Sequence, residues 1–474
     1  MRIISHTISR RKLALACADQ ITIWVALLGS AFLRLGIGEG VLYIYSHLLS
    51  LVLLSLFYAA TFYVADLYNP SGNIRSNRTI LAIALATVAP LLLSTVLFYA
   101  HLPLRLGRTI LVLIGGVVFL GTISSRRIIS RLGRRSARKT RILIIGTGQA
   151  GKTLLDDIDR NSWNSVDPLG ALNNPTSATE TSVESWRILG DGNEVGVLAS
   201  DLAADGVVIA STYERLTREM KQTLVKCRLN GIRVIDRFSF YSEFFGRIPC
   251  DFLTPEWLLY RTERLTSSFQ RKVKRLFDFA AALFGLVVCS PLLLLTAVAI
   301  RLDSGGPIFY RQKRVGKDGC VFTLCKFRSM HMDAEKDGRA VFSHKEDPRI
   351  TRVGKFIRKT RLDELPQLVN VLKGEMSVIG PRPERPTFVE EYVRSVESRA
   401  SEDYSEKIPN YSVRLLVKPG ITGWAQVNCG YADSLDSSRK KLEYDLYYIV
   451  NQSLVLDLII LLKTIKVVLT GGGV

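Results

Sequence analysis

Five apolar runs constrain this chain more than any other feature. Residues 13–33, 41–64, 79–100 and 109–122 form the first four, and residues 276–300 form the fifth. A helix needs about 20 apolar residues to cross the hydrocarbon core, where every backbone polar group must be paired within the segment. The first three runs approach or exceed that length, and the fourth continues through Ile123 toward basic residues. The sequence therefore predicts four N-terminal membrane helices. Pro90 falls inside the third and predicts a kink with no function attached. Asp19 lies near the start of the first. An ionisable residue in a span is a functional candidate by default, but this one is close enough to the end to reach the headgroups, and that is the reading adopted.

Charge sets the orientation. Arg2, Arg10, Arg11 and Lys12 precede the first run, and Arg126, Arg127, Arg131, Arg134, Arg135, Arg138, Lys139 and Arg141 follow the fourth. Positive loops stay in the cytoplasm, so both ends of the four-helix region face it, as an even number of spans requires. The whole chain of 474 residues carries +20, which suits anionic partners. Membrane segments, and the lack of an aromatic-studded basic module, point to phospholipid or phosphorylated substrates and away from nucleic acid. None of the seven cysteines forms a CxxC pair or a zinc-like cluster, and they read as free thiols in a reducing compartment. No small-residue cleavage site clearly follows the first run, so no cleavable signal peptide is expected.

A β-type run, Arg141 to Ile145, leads into Gly146-Thr147-Gly148-Gln149-Ala150-Gly151 and then a helical pattern. That predicts the opening of a Rossmann-like α/β domain, with further strands at 206–210 and 232–235. Dinucleotide binding would want an acid at the end of the second strand, where Asn173-Asn174 stands instead. The glycines are thus expected to make a tight turn, and no cofactor is assigned to them.

The fifth run is flanked by Lys272, Lys274 and Arg275 before it and Arg301 after it, so both ends favour the cytoplasm. Ser290-Pro291 sits in its middle, and proline removes a backbone donor and crowds the preceding turn. A re-entrant hairpin that dips in and returns satisfies both facts. Residues 454–469, apolar but for Asp457, Lys463, Thr464 and Lys466, fit either an interfacial helix with its lysines at the headgroups or a buried one.

Two adjacent carboxylates, Asp363-Glu364, follow a basic run ending in Arg358-Lys359. They read either as part of a helix start, with Thr360 and Asp363 in a capping-box-like arrangement, or as a catalytic pair acting on phosphates held by cations. The remainder of the C-terminal half decides between these. In order it carries Lys274-Arg275-Leu276-Phe277-Asp278, Ser290-Pro291, Gly306-Pro307-Ile308-Phe309-Tyr310-Arg311-Gln312 and Lys326-Phe327-Arg328-Ser329-Met330. Leu362-Asp363-Glu364-Leu365-Pro366-Gln367-Leu368, Gly380-Pro381-Arg382-Pro383 and Lys418-Pro419-Gly420-Ile421-Thr422-Gly423-Trp424-Ala425-Gln426-Val427 follow. Over about 271–474 this resembles the bacterial polyprenyl-phosphate sugar-1-phosphate transferases of the monotopic phosphoglycosyl transferase superfamily. The N-terminal additions resemble its long form.

The resemblance implies a membrane α-helical bundle (1–125), a Rossmann-like, CoA-binding-like α/β domain (126–255), a linker and re-entrant membrane helix (256–303), and a monotopic α/β catalytic domain (304–474). It implies transfer of a sugar-1-phosphate, a hexose with glucose first and galactose next, from a UDP-sugar to undecaprenyl phosphate. UMP is released, a phosphosugar-aspartate intermediate forms, and Mg²⁺ is the cofactor. The place would be the first membrane step of exopolysaccharide, capsule or O-antigen synthesis, on the cytoplasmic face of the bacterial inner membrane, by a homodimer in the lipid bilayer. By motif position Asp363 would be the nucleophile, Glu364 would help hold the metal, and Arg358 and Arg382 would hold phosphate. Lys326 and Arg328 are further phosphate candidates or else a solvated basic patch. Gln426 would bond nucleotide or backbone. Ser290 and Pro291 would make the membrane turn, Asp278 would pair with Lys274 or Arg275, and Trp424 would pack. Residues 393–405 read as a variable loop. A nucleotide-sugar dehydratase would need a second Gly-rich loop and a Tyr with Lys four residues on, and neither occurs; a non-enzymatic assembly protein would leave the Asp-Glu and Pro-Arg-Pro sets unexplained.

Overall fold

The computed structural model describes residues 10–65, 67–68, 77–100, 106–136, 139–160, 166–173, 188–211, 216–250, 253, 257–258, 268–332, 334, 347–390, 408, 410–429 and 435–470. Arg2, Asn174 and the expected loop at 393–405 lie outside these residues. The chain divides into two units, Met1–Arg138 and Lys139–Val474.

The first unit is a bundle of α1 (Arg10–Ser46), α2 (Leu48–Val64), α3 (Asn77–Ala100) and α4 (Arg108–Ser136), each packed on its two neighbours around a ring. The first two runs meet inside α1, where Gly36 breaks the helix with φ 79°. Ile23, Leu27, Leu51, Leu54, Phe62, Ile83, Ile114 and Val118 fill the core, while Ile21, Leu33, Leu42, Leu81 and Val112 point outward, as lipid-facing residues do. Pro90 cannot donate to Ala86 O, and the hydroxyl of Thr61 on α2 takes that carbonyl at 3.0 Å. Asp19 corrects the sequence expectation. It is fully buried and makes two bonds to Arg126 of α4, at 2.7 and 2.9 Å, while Arg126 also donates to Leu67 O. A carboxylate at that depth is costly without a partner, and a bidentate guanidinium supplies one from inside the bundle.

The second unit opens with a five-stranded, all-parallel sheet of order β3-β2-β1-β4-β5. Its strands are β1 (Thr140–Ile145), β2 (Val166–Asn173), β3 (Ile188–Asp191), β4 (Gly206–Ile209) and β5 (Arg233–Asp236). Side chains alternate along β1. Ile142 and Ile144 pack with Leu154, Leu155 and Ile158 of α5 (Gln149–Arg160). Leu143 and Ile145 face α6 (Val195–Asp201) and α7 (Arg218–Leu229). Gly146 turns the chain with φ +114°, and a Cβ on Gly151 would collide with Gly146 O, so these glycines let α5 approach β1.

The rest of the unit is built on α8 (Ser268–Ser304), followed by the antiparallel hairpin β6 (Phe309–Val315) and β7 (Val321–Phe327), then α9 (Arg352–Lys359) and α10 (Leu368–Lys373). Strand β8 (Ser377–Ile379) pairs in parallel with β9 (Gly420–Thr422), and α11 (Trp424–Asn428), α12 (Leu435–Val450) and α13 (Leu454–Thr470) close the fold. Helix α8 runs on through Pro291. The carbonyl that Pro291 leaves without a donor, Val287 O, is taken by Ser290 Oγ at 2.8 Å. Both halves of α8 pack on this same unit: Ala282 joins the core with Val371 and Tyr448, and Ile300 joins Phe327 and Ile357. Between them Phe284, Val287, Leu294 and Leu295 are at least 65% exposed.

Asp278 does not pair with Lys274 or Arg275. Its carboxylate accepts from Ser377 Oγ and Val378 N at the start of β8, at 2.9 and 3.0 Å. Lys274 reaches Asp457 of α13 at 2.7 Å, and Arg275 donates to Val371 O and Leu372 O at the end of α10. Asp278 is buried and already committed to β8, and the carbonyls at the α10 C-terminus attract the Arg275 cation. Helix α13 is two-sided. Leu456, Asp457 and Ile460 are buried and Leu458, Leu462 and Ile465 exposed, while Lys463 lies over the Trp424 ring.

Candidate active site

Asp363 and Glu364 sit in a 3-10 helix, Leu362–Gln367, that Arg361 enters in the left-handed region at φ 58°. No capping box forms, because Thr360 instead ends α9 and donates its hydroxyl to Phe356 O. A non-glycine residue held at positive φ costs about 1 kcal/mol or more and persists where its surroundings fix it. Pro366 one turn on fixes the backbone further, and both carboxylates are more than nine-tenths buried.

Three elements bring cations to the pair. Strand β7 presents Lys326, whose Nζ lies 3.0 Å from Glu364 Oε1. The Gly380–Pro383 turn presents Arg382, whose Nη2 lies 3.2 Å from the same oxygen, and Arg361 is 3.9 Å away. Arg358, in the last turn of α9, adds a favourable field at Asp363. Helix α9 is seated by Thr351, which caps it by accepting from Gly354 N, and by Ile357 buried against Phe327. Asn370 of α10 accepts from Cys325 N and donates to Thr323 O, so a buried amide holds β7 over the residues just before Lys326.

The two carboxylates titrate apart. Burial and the charge of Glu364 raise Asp363 to about 6, although Lys326, Arg358 and Arg361 oppose them. Burial also pushes Glu364 upward, but Lys326, Arg382 and Arg361 outweigh it and hold Glu364 well below the usual carboxylate range. Glu364 is therefore the fixed anion and Asp363 the group nearer neutrality. Burial lowers the Lys326 ammonium, with Glu364 opposing. Asp363 Oδ1 is buried without a hydrogen-bond partner, an oxygen desolvated and uncommitted. Such a pair, ringed by cations, can accept an anionic phosphate and offer it an oxygen nucleophile.

The sequence-selected residues do not all converge. Arg328 is buried at the end of α8, where it donates to Ser304 Oγ at 2.7 Å and to Gly305 O. Gln426 donates to Ile421 O at 3.0 Å, a backbone bond at the β9–α11 corner. Trp424 packs against Tyr447 and gives its indole N–H to Gly246 O. Sequence reasoning assigned no role to Arg361, Asn370 or Arg414. Among the described residues no three His, Cys, Asp or Glu side chains cluster to hold a metal. The open Asp363 oxygen beside Glu364 suits Mg²⁺, which keeps several waters and takes one or two carboxylates with substrate phosphates.

Known proteins are similar to this chain. The bacterial sugar transferase family model matches residues 269–471. A UDP-N-acetylgalactosamine-undecaprenyl-phosphate N-acetylgalactosaminephosphotransferase of Aeromonas hydrophila is 43% identical over 293 residues, 62% of this chain and 64% of that protein. The chain thus spans just under two thirds of that relative's length. A UDP-glucose:undecaprenyl-phosphate glucose-1-phosphate transferase of Escherichia coli K12 is 32% identical over 331 residues, 69% of this chain and 67% of that protein. The Rhizobium leguminosarum exopolysaccharide production protein PSS is 40% identical over 203 residues, which is 96% of its length and 42% of this chain.

Proposed function

The chain belongs to the bacterial sugar transferases, and from that premise we propose that it moves a sugar-1-phosphate from a UDP-sugar to undecaprenyl phosphate. The observation that carries this reading is the buried Asp363–Glu364 pair with its ring of Lys326, Arg358, Arg361 and Arg382.

Both substrates are anions, so direct attack of one on the other is repulsive. Asp363 avoids this encounter by dividing the transfer. Its carboxylate attacks the β-phosphorus of the UDP-sugar, the bond from that phosphorus to the bridging oxygen breaks, and the electron pair leaves on UMP. The acceptor's phosphate oxygen then attacks the same phosphorus, and the aspartate oxygen departs as a free carboxylate. Burial keeps Asp363 poorly solvated and hence nucleophilic, while Glu364 stays ionised beside it. Arg382 and Arg358 offer planar forks to phosphate oxygens, and Lys326 offers a point charge. Glu364 would help hold Mg²⁺, which would supply neutralisation of the phosphate charge.

Helix α8 acts here as a re-entrant membrane element. Its basic flanks, its exposed apolar middle and the packing of both its halves on one unit support this, and they favour a site at the cytoplasmic face of the inner membrane. The 140–250 sheet, with its 3-2-1-4-5 parallel order, reads as Rossmann-like.

Relatives' names divide between N-acetylgalactosamine and glucose as the sugar. Membranes holding the protein should release UMP when given undecaprenyl phosphate, Mg²⁺ and one of UDP-glucose, UDP-galactose or UDP-N-acetylgalactosamine. Silence with every UDP-sugar, or release undiminished in Asp363→Asn, refutes the reading.

A further inference from the structure

The Gly-Pro-Arg-Pro turn cannot hold its own shape. Pro381 and Pro383 have no N–H, so the turn has little with which to build an internal ladder. Its definition comes instead from four consecutive carbonyls, each taken by a donor from elsewhere. Pro381 O accepts from Gly420 N at 2.8 Å and Glu384 O from Val315 N at 3.0 Å. Between them the donors are side chains. Arg414 Nη2 bonds Arg382 O at 3.1 Å, and Arg314 Nη1 bonds Pro383 O at 3.0 Å.

These two arginines are themselves anchored. Arg414 lies 2.9 Å from Asp445 of α12 and donates to the Tyr411 hydroxyl at 2.5 Å. Arg314 donates to Gln312 Oε1 at 2.6 Å, and the Glu384 carboxylate stands 3.8 Å from Arg414 and 4.0 Å from Arg314. Two buried cations beside a third would repel it, and Asp445 and Glu384 offset that field. Such an arrangement is expensive for a mere surface turn. What it places is Arg382, the cation that reaches Glu364.

We propose that Arg414 and Arg314 are positioning residues that clamp the backbone at Arg382 and Pro383, so that the Arg382 guanidinium meets Glu364 and the donor's phosphate. The consequence for rate rests on the sugar-phosphate transfer reading. A cation misplaced by about 1 Å costs as much as roughly 100-fold in rate. Neither clamp residue touches the reacting atoms.

The test uses the full-length protein in nanodiscs. Arg414→Gln and Arg314→Gln are each made in the native background and in Arg382→Ala. Hydrogen exchange at the Gly420 and Val315 amides, which donate to Pro381 O and Glu384 O at the two ends of the clamped turn, should quicken about tenfold or more in the single variants, with the α/β sheet unchanged. UMP release should fall roughly 10- to 100-fold in the native background, and by less than about threefold once Arg382 is gone, because the clamp then has nothing to place. Unchanged exchange, or equal losses in both backgrounds, overturns the proposal. Should Arg414→Gln not fold, Arg314→Gln carries both readouts, its arginine being the more exposed at 17% against 9%. Should the native protein release no UMP, the transfer reading fails, and the exchange measurement alone decides the clamp.

Discussion

Replacing Asp363 by Asn should make the protein more stable while abolishing its chemistry. Burial penalises the ionised Asp363, the Glu364 charge adds repulsion, and Lys326, Arg358 and Arg361 recover only part of the loss. The carboxyl therefore titrates at about 6 in the folded protein instead of at 3.8. Because the folded state holds this proton more tightly than the unfolded chain, the group's contribution to stability is fully present below pH 3.8 and is lost as pH rises through about 6. Two pH units at ~1.4 kcal/mol each give a penalty of about 3 kcal/mol at neutral pH. Asn is neutral at every pH and escapes it. For a folding unit that runs Lys139–Val474, 2–3 kcal/mol is a rise in Tm of roughly 3–4 °C. Differential scanning fluorimetry of the detergent-purified protein from pH 4.5 to 8 reads the difference directly. Asp363→Asn should unfold later at pH 7.5, and its advantage should shrink as the pH falls below 6. An equal or lower Tm at pH 7.5, or a gain that ignores pH, would refute the electrostatic account of the site.

The same titration predicts the rate profile. UMP release should fall on acidification through about 6, as Asp363 takes up its proton, while Glu364 remains charged; an acid limb below pH 4.5 would show a solvated nucleophile. Lys326→Gln removes the nearest cation to Glu364 and should lower the initial rate of UMP release by roughly 100-fold, in line with loss of one preorganised donor, whereas a loss under threefold would assign phosphate holding to the arginines alone. Asp278→Ala leaves Val378 N without its acceptor inside the core, while Ser377 Oγ keeps Ile379 O, and should cost about 1–3 kcal/mol, seen as an earlier melt; a Tm within 1 °C of native would contradict its structural role.

Periodicity and proline placement made the helices legible, because lipid allows few alternatives to a 20-residue apolar run. The four N-terminal helices follow the runs, although the first two join through Gly36 to Ser46. The Asp-Glu pair and Arg382 were singled out by their place in motifs that resemble those of a known family, and Lys326 stood open between phosphate holding and a solvated patch; the structure brings all four together. What sequence could not reveal were partners distant along the chain. Asp19 finds Arg126 across 107 residues, and Asp278 finds Val378 across 100. Local spacing suggested an i to i+3 or i+4 pair for Asp278, but the buried backbone N–H at the start of β8 and the carbonyls ending α10 took those charges instead. Asn370 and Arg414 escaped notice for a similar reason, since each works by holding another segment's backbone.

The proposed transfer requires that Asp363 become covalently joined to the sugar phosphate. The direct measurement is peptide mapping by mass spectrometry of the protein given a turned-over UDP-sugar and Mg²⁺ with no undecaprenyl phosphate. Attack by Asp363 predicts UMP in amounts matching the enzyme and a hexose-phosphate on the peptide carrying Asp363, discharged when the lipid phosphate is added. UMP formed only in the presence of the lipid phosphate, with the Asp363 peptide unmodified throughout, would contradict it.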